Sequence, residues 1–599
     1  MSVRQVEDTS QDRTARCSLS GGFAQAGMWL GVLVVLFALG GCVSDAFEDE
    51  SSVVIYRRVL AAGGSQARVD DEGQDSSRPL GLLRPAESPE EALPELEIVI
   101  DPNTSERTVR LTLEQAVVRT LARSPEIRIV AFDPDIAKEE ITKAAAKFDP
   151  LLFSELNYDD QDSPENSIFE PGEAETRLLE SGVRQRLTTG AQWSAGYMLT
   201  RRWDDLVGRT FPTRYEPMLT FQLKQPLLRD AGAEVNLAGV NVARLNHRVA
   251  LLGFRERAEE VSTQVVQAYW RLVQAHRDLE IQQELLERTL ATLNKVEGRR
   301  EIDATGAQVR QAEAYAKSRQ AFLLQLEKRV EDARDLLIRL MADAQLDITS
   351  DTEVVPVTSF ATTDDGLENM VTKQQALALA MQHNPVVRQA RTGVEIADIN
   401  VRVAKNQRMP RLDLVASART QGLDRDRGEA HDQLTTAGYG SYAVGLTFEF
   451  ALGDRERYAE LRKRRLERRK AVAVLHNVAD QVGVQVNERF RKVQTNLAEV
   501  AVQRQAVLAA RQHLQALEDS EMVRQRLTPE FLLVKLQAQE TLAQAQRALV
   551  SALVTFKIGI AELAQATGTV LDLHEIDVSL SAALLSENTP RARLRGPEL

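Results

Sequence analysis

The sequence predicts a mainly α protein with short runs of β-strand set into each half of an internal duplication. Three observations carry this. Residues 111–158 and 371–418 align without a gap at an offset of 260, pairing LTLEQAVVRTLARSPEIRIV with VTKQQALALAMQHNPVVRQA. Apolar and polar residues alternate after the second proline of each copy. Beyond the alternation, long proline-free stretches carry apolar residues at 4-3 spacing. A duplication this long means two copies of one supersecondary unit. The unit reads helix–helix–strands–long helix–helix, written twice.

A chain of 599 residues with 43% hydrophobic content can bury a large core. Its net charge of −13 argues against nucleic acid as a partner, which would favour a basic surface. Residues 1–41 read as a secretory signal: Arg4, Arg13 and Arg16 precede a short apolar run at 28–39, which is too short to span a bilayer. The run ends in Leu39-Gly40-Gly41-Cys42, which resembles a bacterial lipobox with Cys42 as the acylated first residue of the mature chain. A plain signal peptide with a chance cysteine is the alternative. The other cysteine, Cys17, lies inside the removed segment, so Cys metal sites and intramolecular disulfides are excluded from the mature chain. Residues 42–110, rich in Ser, Asp, Glu and Gly, read as a flexible acidic linker. Residues 346–370 read as an inter-repeat linker and 568–599 as a C-terminal tail.

Within each repeat, 111–345 and 371–567, the elements follow in order. An amphipathic helix (about 112–123, then 372–383) ends at Ser-Pro or Asn-Pro, because the residue before proline avoids the α region. A second helix (about 126–147, then 386–408) stops at Pro150 or Pro410. Strand alternation follows. Trp193, Ala195, Tyr197 and Leu199 share one face, and Tyr442, Val444, Leu446 and Phe448 another. This pattern suits a barrel wall between lipid and water, with Trp193, Tyr197, Tyr442 and Phe448 facing lipid, and equally suits a half-buried soluble sheet. The first copy has extra residues here, including a hairpin near 176–203 that turns at Thr188-Thr189-Gly190. That leaves two strand counts open: four plus an accessory hairpin outside the wall, or six.

Long helices at about 233–302 and 454–526 come next. Val265, Tyr269, Leu272, His276 and Leu279 form one seam, and Val486, Phe490, Val493 and Leu497 another. At 1.5 Å per residue each would extend roughly 105–110 Å. Thr305-Gly306-Ala307-Gln308 reads as a capping box, and Thr528-Pro529 as an N-cap with proline at the first helical position. Each starts a returning helix. The second and returning helices together nearly match the long helix, so the two could run end to end beside it.

This order resembles the TolC-type outer-membrane efflux family. AYWRLVQAHRDLEIQQELLERTL (268–290) looks like that family's first long helix, and LTFQLKQPLLRDAG (219–232) and LTFEFALGDRER (446–457) like its strand-to-helix passages. The resemblance covers about 111–567. It implies a homotrimer that closes one transmembrane β-barrel on an α-helical periplasmic tunnel. It also implies a place in the outer membrane of a Gram-negative-type bacterium, where the Cys42 lipid would add an anchor, and a passive export duct joined through a periplasmic adaptor protein to an inner-membrane transporter. Too few strands to close a barrel alone is independently a reason to expect partners.

No HExxH, Walker lysine, GxGxxG or GxSxG motif occurs, so neither an enzyme nor a cofactor is expected. His276 reads as a packed core histidine. Charges crowd at the helix turns. Asp519, Glu521, Arg524 and Arg526 are candidates for a periplasmic gate, against a merely solvated helix end. Ile302, Val309, Leu527 and Phe531 are candidates for an adaptor contact. The alternative function is a non-pore periplasmic coiled-coil lipoprotein, either adaptor or structural spacer. An adaptor would carry one helical hairpin flanked by β-rich domains, not strands between helices in both copies.

Overall fold

The computed structural model describes residues 96–573, apart from 101–106, 165–170, 207, 209, 302–303, 344, 347–351, 359–371 and 524–527. Cys42, Ile302, Arg524, Arg526 and Leu527 therefore lie outside the described residues.

The two repeats open alike. Helix α1 (Leu113–Arg123) and helix α2 (Pro125–Ala145) form the first pair. Capping boxes start the first helix of each copy. Thr112 Oγ1 accepts from Gln115 N, while the Gln115 side chain accepts from Thr112 N; Thr372 and Gln375 repeat both bonds 260 residues later. Each box satisfies two amide donors that a helix start leaves orphaned. The Ala beside each Gln is buried. Ser124 and Asn384 both hold ψ near 125°, as a residue before proline must, and this separates each first helix from its second.

In the first copy, β3 (Leu151–Asp162), β4 (Glu173–Arg186), β5 (Gln192–Asp204) and β6 (Thr213–Pro226) precede the long helix α3 (Ala238–Gly298) and the returning helix α4 (Gly306–Met341). The second copy runs α5 (Lys373–His383), α6 (Pro385–Gln407), β8 (Arg411–Gln421), a short helix α7 (Arg427–Thr435) and β9 (Gly440–Glu449). The long α8 (Arg455–Val523) and the returning α9 (Pro529–Thr567) complete it. Both α2 and α4 pack along α3, and both α6 and α9 along α8, which is the end-to-end arrangement the lengths suggest.

The main core gathers on α3. Val265, Tyr269 and Leu272 are fully buried there with Leu111, Ile127, Leu337 and Met341. His276 is half-buried, its Nε2 3.2 Å from the Val354 carbonyl oxygen. Val486 and Val493 are buried where α8 faces α5 and α9. By length and composition α9 could cross a membrane. It also buries Leu532, Leu536, Leu542 and Phe556 against its neighbours.

Two segments read as linkers contain strands. Residues β1 (Glu97–Ile100), β2 (Arg107–Leu111) and β7 (Thr352–Pro356) form a three-stranded sheet in the order β1-β2-β7. β2 and β7 are parallel, with Val109 opposite Val354, both buried. This corrects the reading of 42–110 and 346–370 as wholly linker. Strands of four or five residues are too short to show a period, and the parallel partner lies in the other segment. The tail reading of 568–599 is corrected at its start, where Val570 and Leu571 are buried.

The second sheet is antiparallel throughout, in the order β3-β4-β5-β6-β8-β9. Its four first-copy strands and two second-copy strands are one continuous surface. The β4–β5 turn closes through Leu187 N to the Ala191 carbonyl at 2.8 Å, with Gly190 at φ +94°. A side chain at Gly190 would also strike the Asp230 carbonyl at 2.3 Å, so glycine is required twice over.

Candidate functional site

The six-stranded sheet has two chemically distinct faces, and the cross-strand register carries the distinction from edge to edge. On one face lie Leu152, Leu156 and Tyr158 of β3, opposite Val183, Leu179 and Arg177 of β4. The same face continues through Trp193, Ala195, Tyr197 and Leu199 to Leu223, Phe221, Leu219 and Pro217. It reaches Ala416 and Ala418 of β8, and then Tyr442, Val444, Leu446 and Phe448 of β9. The other face carries Glu155, Glu180, Arg184, Ser194, Gln222 and Arg419. Near its helix end, Lys224 and Arg411 reach Asp413 at 3.2 and 2.7 Å, and Arg411 reaches Glu449 at 3.4 Å. An apolar face backed by a charged one is the division a barrel wall makes between lipid and lumen.

The four residues expected on lipid share the apolar face but differ in surroundings. Tyr442 is 85% exposed and Phe448 65%. Trp193 is half-buried and donates from Nε1 to Gln185 Oε1 at 3.2 Å. Tyr197 is partly covered by α7, its hydroxyl 2.6 Å from His431 Nε2. The polar face has its own packing. Phe153 lies across Gly182 and Gly196, which sit opposite each other on β4 and β5. A Cβ at Gly182 would stand 2.5 Å from the Ala195 carbonyl, so the bare backbone is what lets the ring settle there.

The helix turns form a second site. The capping box at Thr305 and Gln308 starts α4. Thr528 Oγ1 accepts from Phe531 N at 3.3 Å to start α9, with Pro529 first in the helix. The two turns meet in one apolar cluster of Val296, Ala304, Phe531, Leu532 and Leu536, with Val309 packed against it. Phe531 is 6% exposed, so within the protomer it ties the turns together and offers little surface to a partner. Two residues the sequence reading passed over are exposed there: Met522 at 80% and Val534 at 40%. Single apolar residues on a polar helix face leave no periodic signal to find them by.

The gate candidates separate as well. Asp519 is exposed and accepts a hydrogen bond from Gln515 Nε2 at 3.0 Å. Glu521 is largely buried, pairs with Lys535 Nζ, and lies 3.9 Å from Lys295. It is an ion pair joining α8 to α9 rather than a free acid.

Compared with known proteins, residues 376–569 match the family described as outer membrane efflux protein. No curated protein matches the chain in sequence. Solved structures match its fold. The CmeC outer membrane channel of Campylobacter jejuni aligns at a TM-score of 0.52 with 14% identity, over 80% of this chain and 90% of that one. The open state of the MtrE outer membrane channel of Neisseria gonorrhoeae aligns at 0.52 with 16% identity, over 77% and 89%. CusC aligns at 0.52 with 14% identity, over 76% and 92%. The fold is therefore that of the TolC-type outer-membrane channels. The second repeat is similar to the outer membrane efflux protein family in its sequence as well.

Proposed function

We propose that this chain is one protomer of a homotrimeric export duct in the outer membrane of a Gram-negative-type bacterium. The single observation that carries this is the sheet: one face mainly apolar, the other mainly small or polar with charges among them, both edges open, and long helices attached at one end only. Open edges are not tolerated in lipid, so the sheet needs partners to close. The helices then extend into the periplasm as a tunnel. The duct is passive, and an inner-membrane transporter supplies the energy through a periplasmic adaptor protein. Met522 and Val534 are the described apolar residues at the tips best exposed for that adaptor. Cys42 carries the lipid anchor in this reading.

Planar-bilayer recording tests the duct. The purified full chain is expected to give discrete conductance steps. Neutralising Asp519 is expected to lower cation preference, because it is the exposed acid of the tip pair, whereas Glu521 is already matched by Lys535. A chain that inserts but never conducts would favour the non-pore coiled-coil lipoprotein instead.

A further inference from the structure

We infer that the barrel of this protein has eighteen strands, closed where β9 of one copy pairs with β3 of the next. The inference rests on the trimeric reading above, and three features of the sheet carry it further. A four-stranded protomer, with two adjacent first-copy strands (the hairpin of β4 and β5, or β3 with β4) folded outside the wall, would close twelve strands. The structure speaks for six.

The first feature is sidedness. If β3 and β4 were an accessory hairpin, nothing would require them to continue the wall's faces. They do continue them. Leu152, Leu156 and Tyr158, with Ser154 among them, stand on the apolar side; Glu155, Asn157 and Asp159 stand on the polar side, which is apolar only at Leu151 and Phe153 near the helix end. Towards the loop the apolar side ends in Tyr158, with the Arg177 guanidinium 5.5 Å above its ring. Asp160 and Glu175 follow. An apolar band that stops at an aromatic residue and then turns charged is the outward profile of a barrel strand at its interface.

The second feature is pairing. β3 has twelve residues and β4 fourteen, and a tilted strand crosses a bilayer in about 9–11. β4 pairs β5 from Ala174↔Asp204 to Arg186↔Gln192 without interruption. Closing at β5 would strip that whole ladder and leave its amides to be satisfied elsewhere. The free edges are β3 and β9, and nearly all of their residues are exposed.

The third feature is direction and stagger. Six antiparallel strands leave β3 and β9 running in opposite senses, so copies join antiparallel at every seam. The line of partners from Leu156 runs through Leu179 and Leu199 to Pro217, whose carbonyl accepts from Gly422 N at 3.0 Å. A mid-strand residue on β3 thus leads past the end of β8. This slide is the stagger that a closed barrel of tilted strands demands.

Because side chains alternate, only every second seam register keeps the apolar face whole. Those registers set Leu156 opposite Tyr442, Val444 or Leu446. The resulting barrel is about half as wide again as a twelve-stranded one, in the range that leaves an aqueous channel.

Cysteine pairs read the seam, with the unsubstituted chain as baseline. Leu156→Cys is combined with Tyr442→Cys, Val444→Cys or Leu446→Cys. Leu199→Cys is combined with the same three. A short bismaleimide is added to membrane-inserted protein, and the strands are counted by electron cryomicroscopy. At least one Leu156 pair is expected to give a covalent trimer, the Leu199 pairs none, and the images eighteen strands. Cross-linking through Leu199 with twelve strands would overturn the closure and leave the duct standing. Protein that inserts as a monomer, with no barrel in the images, would overturn the duct reading and the closure with it.

Discussion

At the residue scale, one carboxylate fastens the end of the first repeat. Asp343 is fully buried and receives Arg119 at 2.6 Å together with Arg123, both from α1. Ala342 beside it holds φ +47°, ending α4 and aiming the carboxylate back. The second repeat does the same task without charge: Asn384 donates from Nδ2 to the Ala566 carbonyl at 3.0 Å. Removing one partner of a buried ion pair typically costs about 3–5 kcal/mol, because the other charge stays buried without its countercharge. Asp343→Ala is expected to lose stability on that scale, read by thermal unfolding in detergent; a loss below about 1 kcal/mol would mean water already reaches Arg119.

Glu259 is a different case. Burial pushes its carboxyl up to about 7, partly offset by Arg255 at 2.9 Å, while Asp572 and Glu256 push the same way as burial. A group whose folded value lies above its unfolded one stabilises the fold at low pH and loses that contribution as pH rises through the folded value. Glu259→Gln should therefore raise the melting temperature at pH 8 relative to wild type, with the gain shrinking towards pH 5. An equal shift at both pH values would show that the carboxyl does not titrate in that window.

At the element scale, legibility followed period and length. The helices were readable because Pro125, Pro385, Pro150 and Pro410 punctuate them, and because Thr305 and Thr528 announce the returning pair. Gln-Ala recurs at 115–116 and 375–376. The structure makes it a capping residue followed by a core residue. β9 was readable because alternation runs from Tyr442 to Phe448. β4 and β5 were readable as the hairpin at 176–203, whereas β3 was not, since Asp fills its outer end and hides the alternation. Phe531 was named for its place at a turn, but position alone did not show that the turn packs against its twin. The wall's faces give a direct contrast. Tyr442→Asp is expected to reduce membrane insertion, a lipid-facing charge costing up to a few kcal/mol. Ser441→Asp, on the polar face of the same strand, should insert normally. Equal insertion of both, measured by urea extraction of membranes, would remove the assignment of faces.

At the scale of the whole molecule, the duplication is exact where helices start and unequal where strands lie. Four strands come from the first copy and two from the second, yet they join in one sheet through β6 and β8. That join was beyond sequence reasoning, because β6 and β8 are far apart in the chain and nothing local marks them as neighbours. The helical frame keeps the two-fold pattern, while the membrane part takes its strand number from one copy's insertion.

The small sheet of β1, β2 and β7 sets an order of events during synthesis. All three of its strands, and the three first-copy helices that pack on α3, are present once Pro356 has left the ribosome or the secretion channel. The first half can therefore begin its core while the second is still being delivered, with Val554, Ala561 and Leu571 joining that core last. The wall cannot. It waits for β9, and so for Glu449. Its apolar strands β3 to β6 remain without β8 for about two hundred residues of delivery, which makes them the segment most in need of a chaperone before the membrane is reached.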